Sequence, residues 1–349
     1  MLIFEVYIAL LGTLKLALRN IKNNNQYLTL IAGLLLFIIS SLRHYGFAPD
    51  PANYMNQYYS LYNIDLSELW FFFINNEGQD PFFYLISKIV ILLGADHQVW
   101  FAVIAATFCF SVSKVIYKYS DEAFLSFLIL ASLSYIFFSL TGLRQTVALS
   151  MVLLSYPYLR ERKFFPFVIV VVFGSLFHAS AIIFLIAYPL ANIKIGWHYV
   201  AILSIAFFIV NFSSETIRLT IEMWGWTETY IAYADREIAL TYSGFIIQLL
   251  IFTFCLFYSK GVLKADKKNI TLYNLLYLGL LFQLNTFVIA EFFRISMYFS
   301  IFSIILVPKA IHVEKNSNFK WAVNFAVYGA LLAYFVRSGT FSEYFFYWQ

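Results

Sequence analysis

An all-α, polytopic membrane bundle is the fold this sequence predicts, and three observations predict it. The 349 residues include 23 Lys or Arg and 19 Asp or Glu, so 12% are charged; an ordinary soluble domain carries roughly 25%. Hydrophobic residues make up 62%, among them 40 Phe, 26 Tyr and 7 Trp. Apolar runs of roughly 15–22 residues recur along the whole chain, the length at which a helix crosses hydrocarbon. A water-soluble enzyme is excluded by this composition, and so is a disordered or fibrous chain.

In chain order, spans are expected at 2–18, 27–42, 98–116, 123–140, 145–159, 164–177, 179–191, 197–212, 242–259, 271–285, 288–308 and 321–336. Segment 81–94 opens at Pro81 and is too short to cross comfortably, so it reads as re-entrant or interfacial. The sum is about 12–13 transmembrane or re-entrant segments in one transmembrane domain, 1–349. Two connections are long, 43–80 and 213–241. No repeat of fixed period is visible.

Orientation follows from the basic residues, which gather on cytoplasmic loops. Lys15, Arg19, Lys22, Lys114, Lys118, Arg160, Arg162, Lys163, Lys194, Lys260, Lys264, Lys267, Lys268, Lys309, Lys315 and Lys320 fall on one face. This holds if 81–94 returns to the side it entered from. Both termini and both long loops then face out of the cell. The cytoplasmic loops are short and basic and contain no Gly-rich phosphate cradle, so a soluble nucleotide substrate is not expected. The first apolar stretch contains Glu5 and Lys15 and no small-residue cleavage site, so it does not read as a cleavable signal. Cys109 and Cys255 sit inside apolar runs without metal-ligand spacing or a disulfide pattern. The net charge of +4 is dispersed, and no nucleic-acid partner, metal or cofactor is expected.

Charges deep in apolar sequence are costly, so each is a candidate for function. Arg43 ends a span at the outer interface, with Asp50 between Pro49 and Pro51 and Tyr54 following; a snorkelling Arg beside a loop Asp is the ordinary alternative. Arg144 sits in a minimal outer turn, Gly142-Leu143-Arg144-Gln145, and needs an anionic partner from protein or lipid. His178 breaks the run 164–190, which is too long for one simple span and too short for two full ones. An imidazole there can accept a proton or donate to a phosphate oxygen; a structural His is the alternative. Glu291, Arg294 and Tyr298 share one helical stripe near the outer end of a late span, where Glu291 and Arg294 can also neutralise each other. In the second long loop Arg218 and Arg236 lie among Trp224, Trp226, Tyr230 and Tyr233, rings suited to sugars or to an interfacial belt. Arginine forks fit phosphate bidentately, so a lipid diphosphate at the outer leaflet is the natural ligand for this set.

At these residues the chain resembles the EpsG/Wzy-type polysaccharide polymerase family. The landmarks are Arg43…Gly46…Asp50…Tyr54, then Asp80-Pro81-Phe82-Phe83, then Gly142-Leu143-Arg144-Gln145 with Ala148. Phe177-His178-x-Ser180-Ala181 and Arg294 complete them. They stand in the family's order and cover about residues 27–300. Asp80 stands where relatives frequently have Glu. The resemblance implies a GT-C-like multi-pass protein of the bacterial inner membrane. It implies a glycosyltransferase that joins oligosaccharide repeat units carried on undecaprenyl diphosphate, outside the cytoplasm and without nucleotide or metal. A flippase and a chain-length regulator are the partners it implies. Within that scheme Arg144 and Arg294, with Arg43 nearby, would stabilise the leaving diphosphate. Asp50 or His178 would be the base, and Tyr54, Asp80 and Gln145 would orient sugars. An O-antigen-ligase-like transferase, a flippase or exporter of the lipid-linked glycan, and a membrane O-acyltransferase are the rival classes.

Overall fold

The computed structural model describes residues 2–75, 80–223, 242–338 and 344–349. Among the described residues the chain is helical, with an isolated β-bridge between Arg43 and Phe346 and no strand. Four helices are long and apolar enough to cross a membrane: Asn24–Ser41, His97–Tyr119, Lys267–Phe287 and Ser317–Arg337. The number rises to seven if each of three bent pairs is one span, and shorter apolar helices include Pro81–Leu92, Phe164–Ser175, Ala179–Leu190 and Trp197–Phe212. Large apolar side chains such as Leu34, Phe110, Phe165 and Phe325 are exposed on these helices, as a lipid-facing coat requires. The molecule is a helical membrane protein.

Several expected spans do not run straight. The run 123–140 divides into Ala123–Ser132 and Tyr135–Thr141, bent by 58°, with Ser134 left-handed at φ 62. The run 288–308 divides at 42° into Phe292–Ser300 and Ser303–His312. A run apolar on all sides carries no signal for where packing bends it. Segment 43–80, expected as a loop, holds two helices, Pro49–Ser60 and Leu66–Asn75. Pro49 and Pro51 open the first of them, where a missing N–H leaves nothing unsatisfied.

Contacts gather the chain into two units. The first comprises Met1–Tyr158, Lys163–Ile182 and Lys315–Gln349. Its helices are α1 (Leu2–Ala17), α2 (Asn24–Ser41), α3 (Pro49–Ser60), α4 (Leu66–Asn75), α5 (Pro81–Leu92), α6 (His97–Tyr119), α7 (Ala123–Ser132), α8 (Tyr135–Thr141), α9 (Leu143–Arg160), α10 (Phe164–Ser175) and the C-terminal helix Ser317–Ser338. Helices α2 and α6 pack antiparallel. At one end Asn25 accepts from the Ala123 amide at 2.5 Å and donates to the Ser120 carbonyl at 3.1 Å. Lys15 pairs there with Glu122 at 3.4 Å. At the other end Gln98 donates to the carbonyls of Ser41 and Arg43. The C-terminal segment clips onto that same end: the His44 amide donates to Phe345 and the Tyr347 amide to Leu42, both at 2.9 Å.

Gly33 lets α2 and α6 touch, because a Cβ built there would stand 2.1 Å from Ser113 Oγ. Gly33→Leu is therefore expected to force the pair apart at a cost of about 1–3 kcal/mol. A lower melting temperature of the detergent-solubilised protein checks it; an unchanged one would show that the contact tolerates bulk.

Lys88, 4% exposed, ties α5 to the end of α3. Its ammonium donates to the carbonyls of Leu61 at 2.9 Å and Tyr62 at 3.3 Å, a cation satisfying helix-terminal oxygens.

The second unit comprises Leu159–Arg162 and Ile183–Glu314. The helix Ile270–Leu284 is buried along nearly its whole length and forms its axis. Gly279 on that helix meets the Ser300 backbone, 3.0 Å from where a Cβ would sit. A polar chain crosses the interior: Gln248 donates to Gln283 at 3.1 Å and to Ser296 at 3.0 Å, and Ser296 donates to the Gly279 carbonyl at 2.8 Å. Arg160 pairs with Asp266 at one edge of the unit.

Candidate active site

The site is built around a carboxylate that ignores its own helix. Asp80 occupies the N-cap position of α5 but is left-handed, φ 58 and ψ 49, and makes no capping bond. Asp at an N-cap ordinarily accepts from the first-turn amides. Here Pro81 has no amide hydrogen, and the Phe82 amide donates to Leu176 at 3.2 Å. The freed carboxylate turns to other partners. Oδ1 accepts from the Ala179 amide at 3.1 Å, and Oδ2 faces Arg144 Nη1 at 3.2 Å and His178 Nδ1 at 3.3 Å. A left-handed non-glycine residue costs roughly 1–3 kcal/mol and persists where its surroundings hold it. Such a local conflict marks positions kept for another purpose.

Arg144 comes from the first turn of α9. Gly142 makes that turn possible, since a Cβ there would sit 2.7 Å from the Phe138 ring. The guanidinium also donates through Nη2 to Gln57 at 2.9 Å and to the Tyr84 hydroxyl at 3.1 Å. It lies 5.2–5.7 Å from the ring centroids of Tyr84, Phe83 and Tyr54. Its Nε has no acceptor among the described residues.

His178 is delivered by the end of α10. The helix stops at Ser175, and the Phe177 and His178 amides both close onto the Gly174 carbonyl, at 3.1 and 3.3 Å. Phe177 is buried against Phe82 and Phe173, which fixes where the imidazole emerges. The side chains of Asp80, Arg144 and His178 are 4%, 15% and 28% exposed, so the carboxylate lies behind and the two nitrogen groups in front. A carboxylate only accepts, so the Asp80 contact assigns a proton to Nδ1, and in the neutral imidazole Nε2 then holds the lone pair.

Helix α3 supplies the remaining wall. Tyr54 and Gln57 reach Arg144, and Asp50, exposed in the first turn, stands on the same stripe at i, i+4, i+7. Gln145 is buried at 3%.

The structure thus brings together Asp80, Arg144, His178 and Tyr54. Arg43 lies apart from them. It is 1% exposed, 4.6 Å from the Phe101 ring centroid, and donates to the Ser40 carbonyl at 2.5 Å. Phe101 stacks on Trp100, and Trp100 meets Phe83 at 5.1 Å, so an aromatic layer separates Arg43 from Arg144. In the second unit Glu291 is the N-cap of Phe292–Ser300, its carbonyl accepting the Arg294 amide at 2.9 Å. The Arg294 guanidinium lies 5.8 Å from the Phe293 ring, and Tyr298 is fully buried. Arg218 falls on the helix Trp197–Met223, its side chain outside the described residues. Arg236 lies outside them, with Trp224, Trp226, Tyr230, Tyr233 and Glu77.

Sequence reasoning missed Gln57 and Tyr84 as partners of Arg144. Both stood at helical spacing from residues already singled out, Gln57 three after Tyr54 and Tyr84 four after Asp80. Among the described residues no group of three His, Cys, Asp or Glu is placed to hold a metal ion.

A family model described as the EpsG family matches residues 26–349. No curated protein and no solved structure matches the chain.

Proposed function

The chain belongs to the EpsG family, and from that premise we propose that it is a polysaccharide polymerase. It joins oligosaccharide units carried on undecaprenyl diphosphate at the outer face of the bacterial cell membrane. The observation that carries this reading is the convergence of Arg144 and His178 on one buried carboxylate, Asp80. In the reaction the growing chain on its lipid diphosphate is the donor, and a sugar hydroxyl of the next lipid-linked unit is the acceptor. His178 Nε2 takes the hydroxyl proton as the acceptor oxygen bonds to the anomeric carbon. The anomeric bond to the diphosphate breaks and its electron pair leaves with the phosphate oxygen. Arg144, its side chain 15% exposed, stabilises the charge that grows there; preorganised charge stabilisation is often the largest catalytic term. Asp80 holds both groups in place. Asp50 remains the second candidate for the base. Arg43, on the Ser40 carbonyl and the Phe101 ring, is assigned to holding the end of α2.

The outward placement has its own support within the first unit. Arg144, the start of α6 and the end of α10 lie at one end. Lys15, Lys118 and Lys163, with Arg19 and Lys22, belong to the opposite helix ends, and basic residues gather on the cytoplasmic side.

The test is reconstitution in liposomes with undecaprenyl-diphosphate-linked repeat units. A ladder of lipid-linked products is expected. Transfer of glycan to another acceptor without a ladder would mean a ligase, and movement across the bilayer without bond formation a transporter; either would overturn the reading.

A further inference from the structure

Helix α3 and the turn after it carry a second aromatic surface that the Asp80 cluster does not use. Tyr59 and Tyr62 stack with ring centroids 5.8 Å apart at 29°, and they are 43% and 49% exposed. The Tyr59 hydroxyl shares a hydrogen bond with His97 Nδ1 at 2.8 Å, which locks its ring to the start of α6. Beside it Tyr45 packs edge-on to His97 at 5.7 Å. Asp96 caps α6 through Oδ1, accepting from the Gln98 and Val99 amides at 3.0 and 3.1 Å, and its residue is exposed.

Core packing does not require these two rings. Tyr58 lies beneath them, 1% exposed, with its hydroxyl donating to the Ala95 carbonyl at 2.8 Å. An interfacial belt orders tyrosines with hydroxyls directed to water and headgroups, whereas the Tyr59 hydroxyl is bonded to His97. A buried aromatic layer links the two rings to the wall of the candidate active site. Tyr58 meets both Tyr59 and Tyr62 and, at 5.4 Å, Trp100. Trp100 meets Tyr54 and Phe83 of the Arg144 wall. From Tyr54 to Tyr59 the helix rises about 7.5 Å.

The geometry points to a glycan-binding shelf on which the chain under construction rests. This deepens the polymerase reading and rests on it. The apolar C–H faces of sugar rings lie on the Tyr59 and Tyr62 rings by weak C–H contacts to the π face. Asp96 accepts from sugar hydroxyls, which favours uncharged sugars at this position over acidic ones. The shelf keeps the product engaged between additions, so its loss shortens chains.

The experiment uses the full chain in liposomes with undecaprenyl-diphosphate-linked repeat units and compares Tyr59→Ala/Tyr62→Ala with Tyr59→Phe/Tyr62→Phe and Tyr59→Leu/Tyr62→Leu. Mean polymer length is expected to fall several-fold with Ala and with Leu, while the joining of two single units falls much less, and Phe keeps long chains. Wild-type length in the Ala protein would overturn the shelf. Wild-type length in the Leu protein would do so too, because apolar anchoring would then suffice. If the unsubstituted protein joins no units at all, the polymerase reading has failed instead.

Discussion

Asp80→Asn is expected to reduce polymer formation by roughly 10³–10⁴-fold, the scale on which a catalytic imidazole loses activity when its carboxylate partner becomes an amide. The substitution isolates the charge. Asn tolerates the left-handed backbone at φ 58 as well as Asp does, so the entry to α5 is preserved. An amide can present its NH₂ to His178 Nδ1, now 3.3 Å from Oδ2, which moves the proton to Nε2 and removes the lone pair the acceptor hydroxyl needs. Arg144 also loses its partner at 3.2 Å. Breaking a buried pair costs roughly 3–5 kcal/mol, and the retained amide places the loss toward the low end, visible as a lower melting temperature. His178→Ala is expected to cost about 10²–10⁴-fold. Because the two residues act as one unit, the double variant should be hardly worse than the worse single one. Asp50→Asn is the counter-test: if it abolishes polymer while His178→Ala leaves it intact, the base is Asp50.

The fold class was legible in composition, and the four candidate stretches were legible as costly polar residues in apolar sequence. His178 was placed by run length alone, and the helix does end just before it, at Ser175. Two things were hidden. Asp80 was expected to orient sugars, and nothing local shows that its carboxylate leaves α5 for partners 64 and 98 residues away. Arg43 reads as an interfacial cation, yet the backbone of Phe345–Tyr347, at the far end of the chain, pairs with residues 42–44. Pairings of that separation leave no periodic trace. The helices of segment 43–80 were readable in part, from Pro49 and Asp50 at a first turn and from the apolar run in Leu66–Asn75, but the segment was expected as a loop.

Arg144→Lys is the sharpest test of how the leaving group is held. Removing the side chain with Ala would leave Asp80, 4% exposed at its side chain, as an uncompensated buried carboxylate, and misfolding would obscure the answer. Lysine keeps the charge and can pair with Asp80. It has no planar fork, so it cannot at once face Asp80, hold Gln57 and Tyr84, and offer a further N–H to a phosphate oxygen. Those bonds are all made by the arginine now, at 3.2, 2.9 and 3.1 Å. Polymer formation is therefore expected to fall about 10²–10³-fold, as when one preorganised donor is taken from a developing anion. The melting temperature should stay close to that of the parent, because the ion pair survives. The defect should appear in turnover more than in binding of the lipid-linked unit, since charge on the bridging phosphate oxygen grows only as the glycosidic bond breaks. Full-rate polymerisation by a stably folded Arg144→Lys protein would remove Arg144 from the reaction and leave it a purely structural partner of Asp80, Gln57 and Tyr84.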